Sequence, residues 1–253
     1  MEELLEYGLL FRERLDFVTT TTLITLLACV ATLSSGLLAL YFRSYKAVVF
    51  SFCSGALIGS AVIFLLPDAW ELFDRSDTPL PPALLWLVCA LGFLSFYLFE
   101  LGSYAAGSAR LAGLGGAIGV ATHSFLDGVV IGQGFQAGEE TGVVLAIAVM
   151  MHKLTDGVSA VGIMLGTEHS VRHTTIMLLM TALAFVAGVL AQSFVVLPMS
   201  LLALLLSLFA GMLLYLGANR LIPQARSASA SPWIPVLSIA GVAFVFLAHL
   251  LSH

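Results

Sequence analysis

The sequence predicts an all-α, polytopic membrane protein with about eight transmembrane helices. Hydrophobic residues make up 60% of its 253 residues and charged residues only 10%, with a mean hydropathy of +1.04. A soluble domain has roughly 45–50% apolar and about 25% charged residues, so most of this surface must face lipid. Apolar runs of about 20 residues, the length that crosses a bilayer core, recur along the whole chain.

The eight predicted spans are separated by short connections that contain charges, prolines or both. In order, the spans are 17–42, 47–70, 83–103, 111–136, 143–166, 174–196, 201–222 and 235–251. The break between the sixth and seventh is the weakest, a single turn at Leu197–Pro198–Met199. Residues 1–16 are predicted to be a short extracytoplasmic tail, and 17–253 one transmembrane domain.

Basic residues in short loops set membrane topology, because they are retained on the cytoplasmic side. The tail and the connections after even-numbered spans hold three of them, Arg12, Arg14 and Arg75. Connections after odd-numbered spans hold six: Arg43, Lys46, Arg110, Arg172, Arg220 and Arg226. This bias predicts that both termini are extracytoplasmic, in a plasma or inner membrane.

Composition also argues against several partners. The net charge is −5 and the basic residues form no patch, so nucleic-acid binding is not expected. No Walker-type phosphate loop is present, so ATP is not expected to drive the protein. The three cysteines lie in apolar runs without a CxxC pair, which argues against a thiolate metal site.

Ionisable residues inside membrane spans are costly and indicate functional sites. The fourth span contains GVATHSFLDGVVIG and the fifth MMHKLTDGVSAVG, so each has a histidine, an aspartate four residues later, and then glycine. The pairs are His123 with Asp127 and His152 with Asp156. Residues four apart share one helical face, so two facing helices would bring four donors together.

Two imidazoles and two carboxylates form a ligand set that suits zinc, and also iron(II), cobalt(II) or manganese(II). A dication would compensate the two buried carboxylates. The alternative is a pair of buried His–Asp hydrogen bonds that support helix packing. Repetition of the motif in consecutive spans favours metal.

The same segments resemble the signature of the ZIP (Zrt/Irt-like) metal transporters, which commonly have HN-x-x-EG in the fourth helix and HE-x-PEG in the fifth. GALIGSAVIFLLPDAWE in the second span and AGMLLYLGANRLIPQAR in the seventh resemble further family stretches. The resemblance implies an eight-helix ZIP-like bundle, extracytoplasmic termini, a metal site between helices four and five, and frequent dimerisation. It also implies transport of zinc, iron, manganese or cadmium, usually into the cytoplasm.

The chain departs from the two-metal pattern of many family members. Ser124 and Lys153 follow the two histidines, and Asn219 stands where the seventh helix can carry an acid. We therefore expect a single-metal site. Lys153 is either a built-in cation that replaces the second metal or a side chain that extends towards the membrane interface.

Four other residues are weaker candidates for the transport path. Asp68 and Glu71 end the second span on the predicted outer side, where they could attract a cation or be ordinary interfacial acids. His169 and His173 lie in a predicted cytoplasmic loop, as metal-exit or sensing residues or as solvated loop residues. Alternative functions are an intramembrane zinc-dependent hydrolase and a metal sensor that does not transport.

Overall fold

The computed structural model of the chain describes the backbone of residues 2–76, 81–137, 139–192, 194 and 197–252. Side chains are described for 19–76, 81–135, 142, 146, 149–150, 153–192, 194 and 197–250. Within these ranges the chain is helical, with short turns and no strand.

Eight long helices follow one another along the described chain, which confirms the all-α prediction. They are α1 (Glu2–Tyr41), α2 (Lys46–Asp74), α3 (Ala83–Ala105), α4 (Ala109–Ala137), α5 (Glu139–Gly166), α6 (Val171–Ala191), α7 (Met199–Ala228) and α8 (Trp233–Ser252). Seven of them contain described stretches long and apolar enough to cross a membrane. The remaining helix, α5, includes side chains outside the described residues.

Helices α2 and α7 each pass through a proline and end beyond the predicted ends of their spans. The spans predicted at 47–70 and 201–222 correspond to α2 and α7, which end at Asp74 and Ala228. Each contains a π-helical segment, Ser60–Leu65 in α2 and Leu216–Leu221 in α7. Proline lacks an N–H and crowds the carbonyl four residues earlier, so a wider turn ahead of Pro67 and Pro223 lets each helix continue.

The connection between α6 and α7 differs from the prediction. The sixth span was predicted to reach Val196, which lies outside the described residues, but α6 ends at Ala191. Pro198 immediately precedes α7, as expected for a residue whose fixed φ suits a helix start. The first helix is continuous from Glu2, so the predicted tail at 1–16 extends α1, and its location stays a prediction.

The helices pack as two groups. Helices α1, α4, α5 and α6 contact one another closely, and α2, α3, α7 and α8 form the other group. Contacts between the groups are sparser and run mainly from α5 to α2 and α8. This division matters for the site below, which lies mainly within the first group.

One of the basic residues counted for the topology prediction is buried inside the helix bundle. Arg220 lies in the π segment of α7 and is only 2% exposed. Its charge is neutralised within the protein, so it should not count in the loop bias. The remaining basic residues still favour the same orientation by five to three, and the orientation stays a prediction.

Candidate metal site

The glycine after each aspartate allows close helix packing. A Cβ atom on Gly128 would lie 2.3 Å from the backbone oxygen of Phe185 in α6, and one on Gly157 would lie 2.0 Å from that of Thr32 in α1. Both distances are shorter than van der Waals contact allows, so only glycine fits. Helices α4 and α5 remain regular through these positions, so the glycines serve packing and not a local break.

Three of the predicted ligands come together at one buried point. One donor atom from each of His123, Asp127 and Asp156 lies within 4.8 Å of the other two. Their exposures are 1%, 2% and 6%. Among the described residues this is the one group of three or more metal-donor side chains. It combines an imidazole with two carboxylates, and the role of these donors as metal ligands stays a prediction.

The fourth predicted ligand, His152, has a side chain outside the described residues. Its place in α5, four residues before Asp156, puts both residues on one helical face. Its role as a ligand therefore stays a prediction from helix geometry.

Lys153 lies inside the cluster and does not extend to the membrane interface. Its side chain is fully buried, and the ammonium donates to Asp127 Oδ2 at 2.6 Å and to Asp156 Oδ2 at 2.7 Å. A third hydrogen bond reaches Ser124 Oγ at 2.9 Å. These distances are typical of charge-assisted hydrogen bonds. The lysine therefore supplies the positive charge that the two aspartates require in the described state.

Several neighbours of the cluster could not be recognised from the sequence. The Lys153 ammonium lies 4.8 Å from the ring centroid of Phe185, a cation–π contact. The His123 ring lies 5.9 Å from that of Phe209 in α7. Thr155, next to Asp156, hydrogen-bonds Ser60 in the π segment of α2 at 3.1 Å. These contacts join residues far apart in sequence, so no local pattern indicates them.

Three other candidates lie outside the cluster. Glu71 is exposed and forms an ion pair with Arg75 one turn later, and Asp68 is half-buried near the end of α2. Asn219 is exposed in the π segment of α7, unlike the buried donors. Neither Asp68 nor Glu71 belongs to the described group formed by His123, Asp127 and Asp156.

The two histidines of the α5–α6 loop are held by neighbouring hydroxyls. His169 Nδ1 shares a 2.9 Å hydrogen bond with Thr167, and His173 Nδ1 shares one of 2.7 Å with Ser170. Partial burial, with cations such as Arg110 nearby, lowers the pKa of the His169 imidazole. A neutral imidazole can bind a metal ion, but the nearby cations repel such an ion. Neither histidine belongs to the described three-donor group.

A second buried charge pair was not predicted. Arg220 in α7 and Glu100 in α3 approach to 3.0 Å, with side-chain exposures of 1% and 11%. Both partners belong to the second helix group. The pair compensates two charges within the membrane region and explains why Arg220 can be buried.

A comparison with known protein families finds a match for this chain. The model of the family described as ZIP Zinc transporter matches residues 102–250. The matched region covers more than half of the chain. It contains the three-donor cluster, Lys153, and the helices from α4 to α8.

Proposed function

Because this chain belongs to the ZIP zinc transporter family, we propose that it carries zinc into the cytoplasm through a site formed by His123, Asp127 and Asp156. Transport of divalent metal ions across a membrane is the activity of the family, and the chain is an integral, multi-pass membrane protein. Four points are proposals: zinc as the cargo, the inward direction of transport, the ligand set with His152 as its fourth member, and a homodimeric state.

The observation that supports this site is the burial of three metal donors, two of which lie near the middle of a membrane span. His123 and Asp127 lie close to the centre of the span Ala109–Phe135. Carboxylates so deep in a bilayer are costly unless a cation compensates them. Imidazole nitrogen and carboxylate oxygen are usual zinc ligands, and iron(II), manganese(II) or cadmium are alternative cargoes because this donor set does not exclude them.

The position of the site, in the first helix group and against the second, supports transport by alternating exposure. The cluster itself belongs to α4 and α5, whereas Phe209 of the second group lies beside His123 and Ser60 of that group hydrogen-bonds Thr155, the neighbour of Asp156. Movement of one group against the other would change the surroundings of the cluster without separating its ligands. We infer that this movement exposes the site to each side in turn.

The two alternative functions are less well supported. A zinc-dependent hydrolase needs a general base that is not itself a ligand, whereas both aspartates of the cluster are proposed ligands and are bound to Lys153. Membership of a transporter family also favours transport over hydrolysis. A sensor that does not transport would bind metal without moving it, which a flux measurement distinguishes.

The test is zinc uptake into proteoliposomes that contain purified protein and a zinc-sensitive dye. Alanine variants of His123, Asp127, His152 and Asp156 should reach the membrane but lose saturable uptake. The matched controls Asp74→Ala, an exposed carboxylate at the end of α2, and His249→Ala in α8 should retain it. Uptake at the wild-type rate in two or more of the ligand variants would refute the site, and absence of uptake by the wild type would refute transport.

A further inference from the structure

The ammonium of Lys153 lies at the point where two of the three described donors, Asp127 and Asp156, meet. Asp127 Oδ2 lies 2.6 Å from the ammonium and 3.5 Å from His123 Nε2. The ammonium also contacts Asp156 Oδ2 at 2.7 Å. The ammonium therefore contacts carboxylate oxygens from both α4 and α5, beside the imidazole. It does not occupy a separate site next to the proposed ligands.

A metal ion at the same donors would lie very close to this ammonium. Zinc binds carboxylate oxygen and imidazole nitrogen at about 2.0–2.2 Å. An ion at that distance from the aspartate oxygens would be within a few ångström of Lys153 Nζ in its present position. Two positive charges at that distance inside a buried site repel strongly. The metal and the ammonium therefore compete for the same aspartate oxygens.

We propose that Lys153 is a tethered cation that holds the empty site and gives it up only to a divalent ion. This inference rests on the proposed function of the cluster as the transport site. Sodium or potassium carries the same charge as the ammonium but lacks its tether and its hydrogen bonds, so neither can displace it. A dication gains twice the attraction from each carboxylate. Lys153 thus selects divalent over monovalent ions.

Two of the present contacts of the ammonium would remain available when a metal ion takes the aspartate oxygens. The Phe185 ring is 4.8 Å away and the Ser124 hydroxyl is 2.9 Å away. An aromatic face attracts a buried ammonium, and the lysine stem has four rotatable carbons. A small rotation can therefore free the aspartate oxygens while the charge stays near Phe185 and Ser124.

A tethered cation also lets the unloaded protein change conformation without another ion. Without it, an unloaded site would carry two uncompensated carboxylates in the membrane interior, a costly state. With Lys153 in place, each carboxylate has a hydrogen-bonded positive partner. The return of the empty transporter therefore requires no co-transported monovalent cation.

The test is a zinc titration of the purified protein in lipid nanodiscs, with sodium replaced stepwise by N-methylglucamine at constant ionic strength. The wild type should keep its zinc affinity at every sodium concentration. In Lys153→Met, sodium can occupy the two aspartates, and a competitor at ten times its own dissociation constant weakens the apparent zinc affinity about tenfold. Lys153→Arg, which retains the charge, should remain insensitive to sodium.

Each result has a definite meaning. Competition by sodium in the wild type, or a Lys153→Met variant as insensitive as the wild type, would overturn the inference. If Lys153→Met does not reach the membrane, the wild-type and Lys153→Arg titrations decide. Competition by sodium in either protein would overturn the inference. A wild type that binds no zinc at all would instead refute the proposed function.

Discussion

Removal of the positive charge of Lys153 should destabilise the empty protein and leave the zinc-bound protein much less affected. In Lys153→Met the side chain keeps its length, but Asp127 and Asp156 lose contacts of 2.6 and 2.7 Å. At an effective dielectric constant of about 20, each contact represents about 6 kcal/mol of gross attraction. Desolvation of the buried charges offsets much of this, and removal of one partner from a buried pair typically costs about 3–5 kcal/mol.

The measurement is thermal unfolding in detergent, with and without saturating zinc. Zinc supplies the missing charge in the variant, so its stabilising effect should be larger for Lys153→Met than for the wild type, where zinc must first displace the ammonium. At the same free zinc concentration, a tenfold lower dissociation constant adds about 1.4 kcal/mol of stabilisation. Lys46→Met is the matched control, because Lys46 is exposed and surface changes are usually within about 0.5 kcal/mol.

The reasoning would be refuted by an empty Lys153→Met protein that is as stable as the wild type. Equal stabilisation of the two proteins by zinc would also refute it, because it would show that the ammonium and the metal do not compete for the aspartates. The free energy of unfolding therefore tests the same competition as the sodium titration, by a measurement that does not depend on sodium.

Three further predictions concern packing, movement and protonation. Gly157→Ala places a methyl group against the backbone oxygen of Thr32 and should cost at least about 1–3 kcal/mol of stability. The control is Gly102→Ala, because nothing lies within 4 Å of a Cβ at that position. This variant should be neutral or stabilising in the same thermal assay. Gly162→Cys would place a new Cβ 3.4 Å from the Cβ of Cys53, close to disulfide geometry, and would link α5 to α2. Oxidation should then stop zinc uptake, and a reducing agent should restore it. Oxidation should have no effect when Cys53 is replaced by serine. Full uptake by the cross-linked protein would contradict movement between the helix groups. Finally, histidine ligands must be neutral to bind metal, so zinc affinity should fall as the pH drops through about 6.5; an affinity that stays flat between about pH 5 and 8 by calorimetry would argue against histidine ligation.

The spans and the ligand motif could be predicted because both depend on local sequence. A bilayer imposes one length on every apolar run, and the four-residue spacing of His123 and Asp127 places them on one face of any helix. The family resemblance added the pairing of the fourth and fifth helices, and the family match includes both. The same local view failed for Arg220, which was counted as a loop charge although it pairs with Glu100 from another helix.

By itself, the sequence determined the all-α membrane fold, its approximate spans, and the two helices that carry the donors, because hydropathy and helical periodicity act over a few turns of one segment. Only the tertiary structure decided where the flexible side chain of Lys153 ends: against Asp127 and Asp156 and not at the membrane interface. It also showed that Gly128 and Gly157 serve contacts with α6 and α1. Such outcomes depend on which backbones and charges neighbouring helices present, and in a buried, low-dielectric interior an ammonium is stable only where carboxylates from those helices meet it.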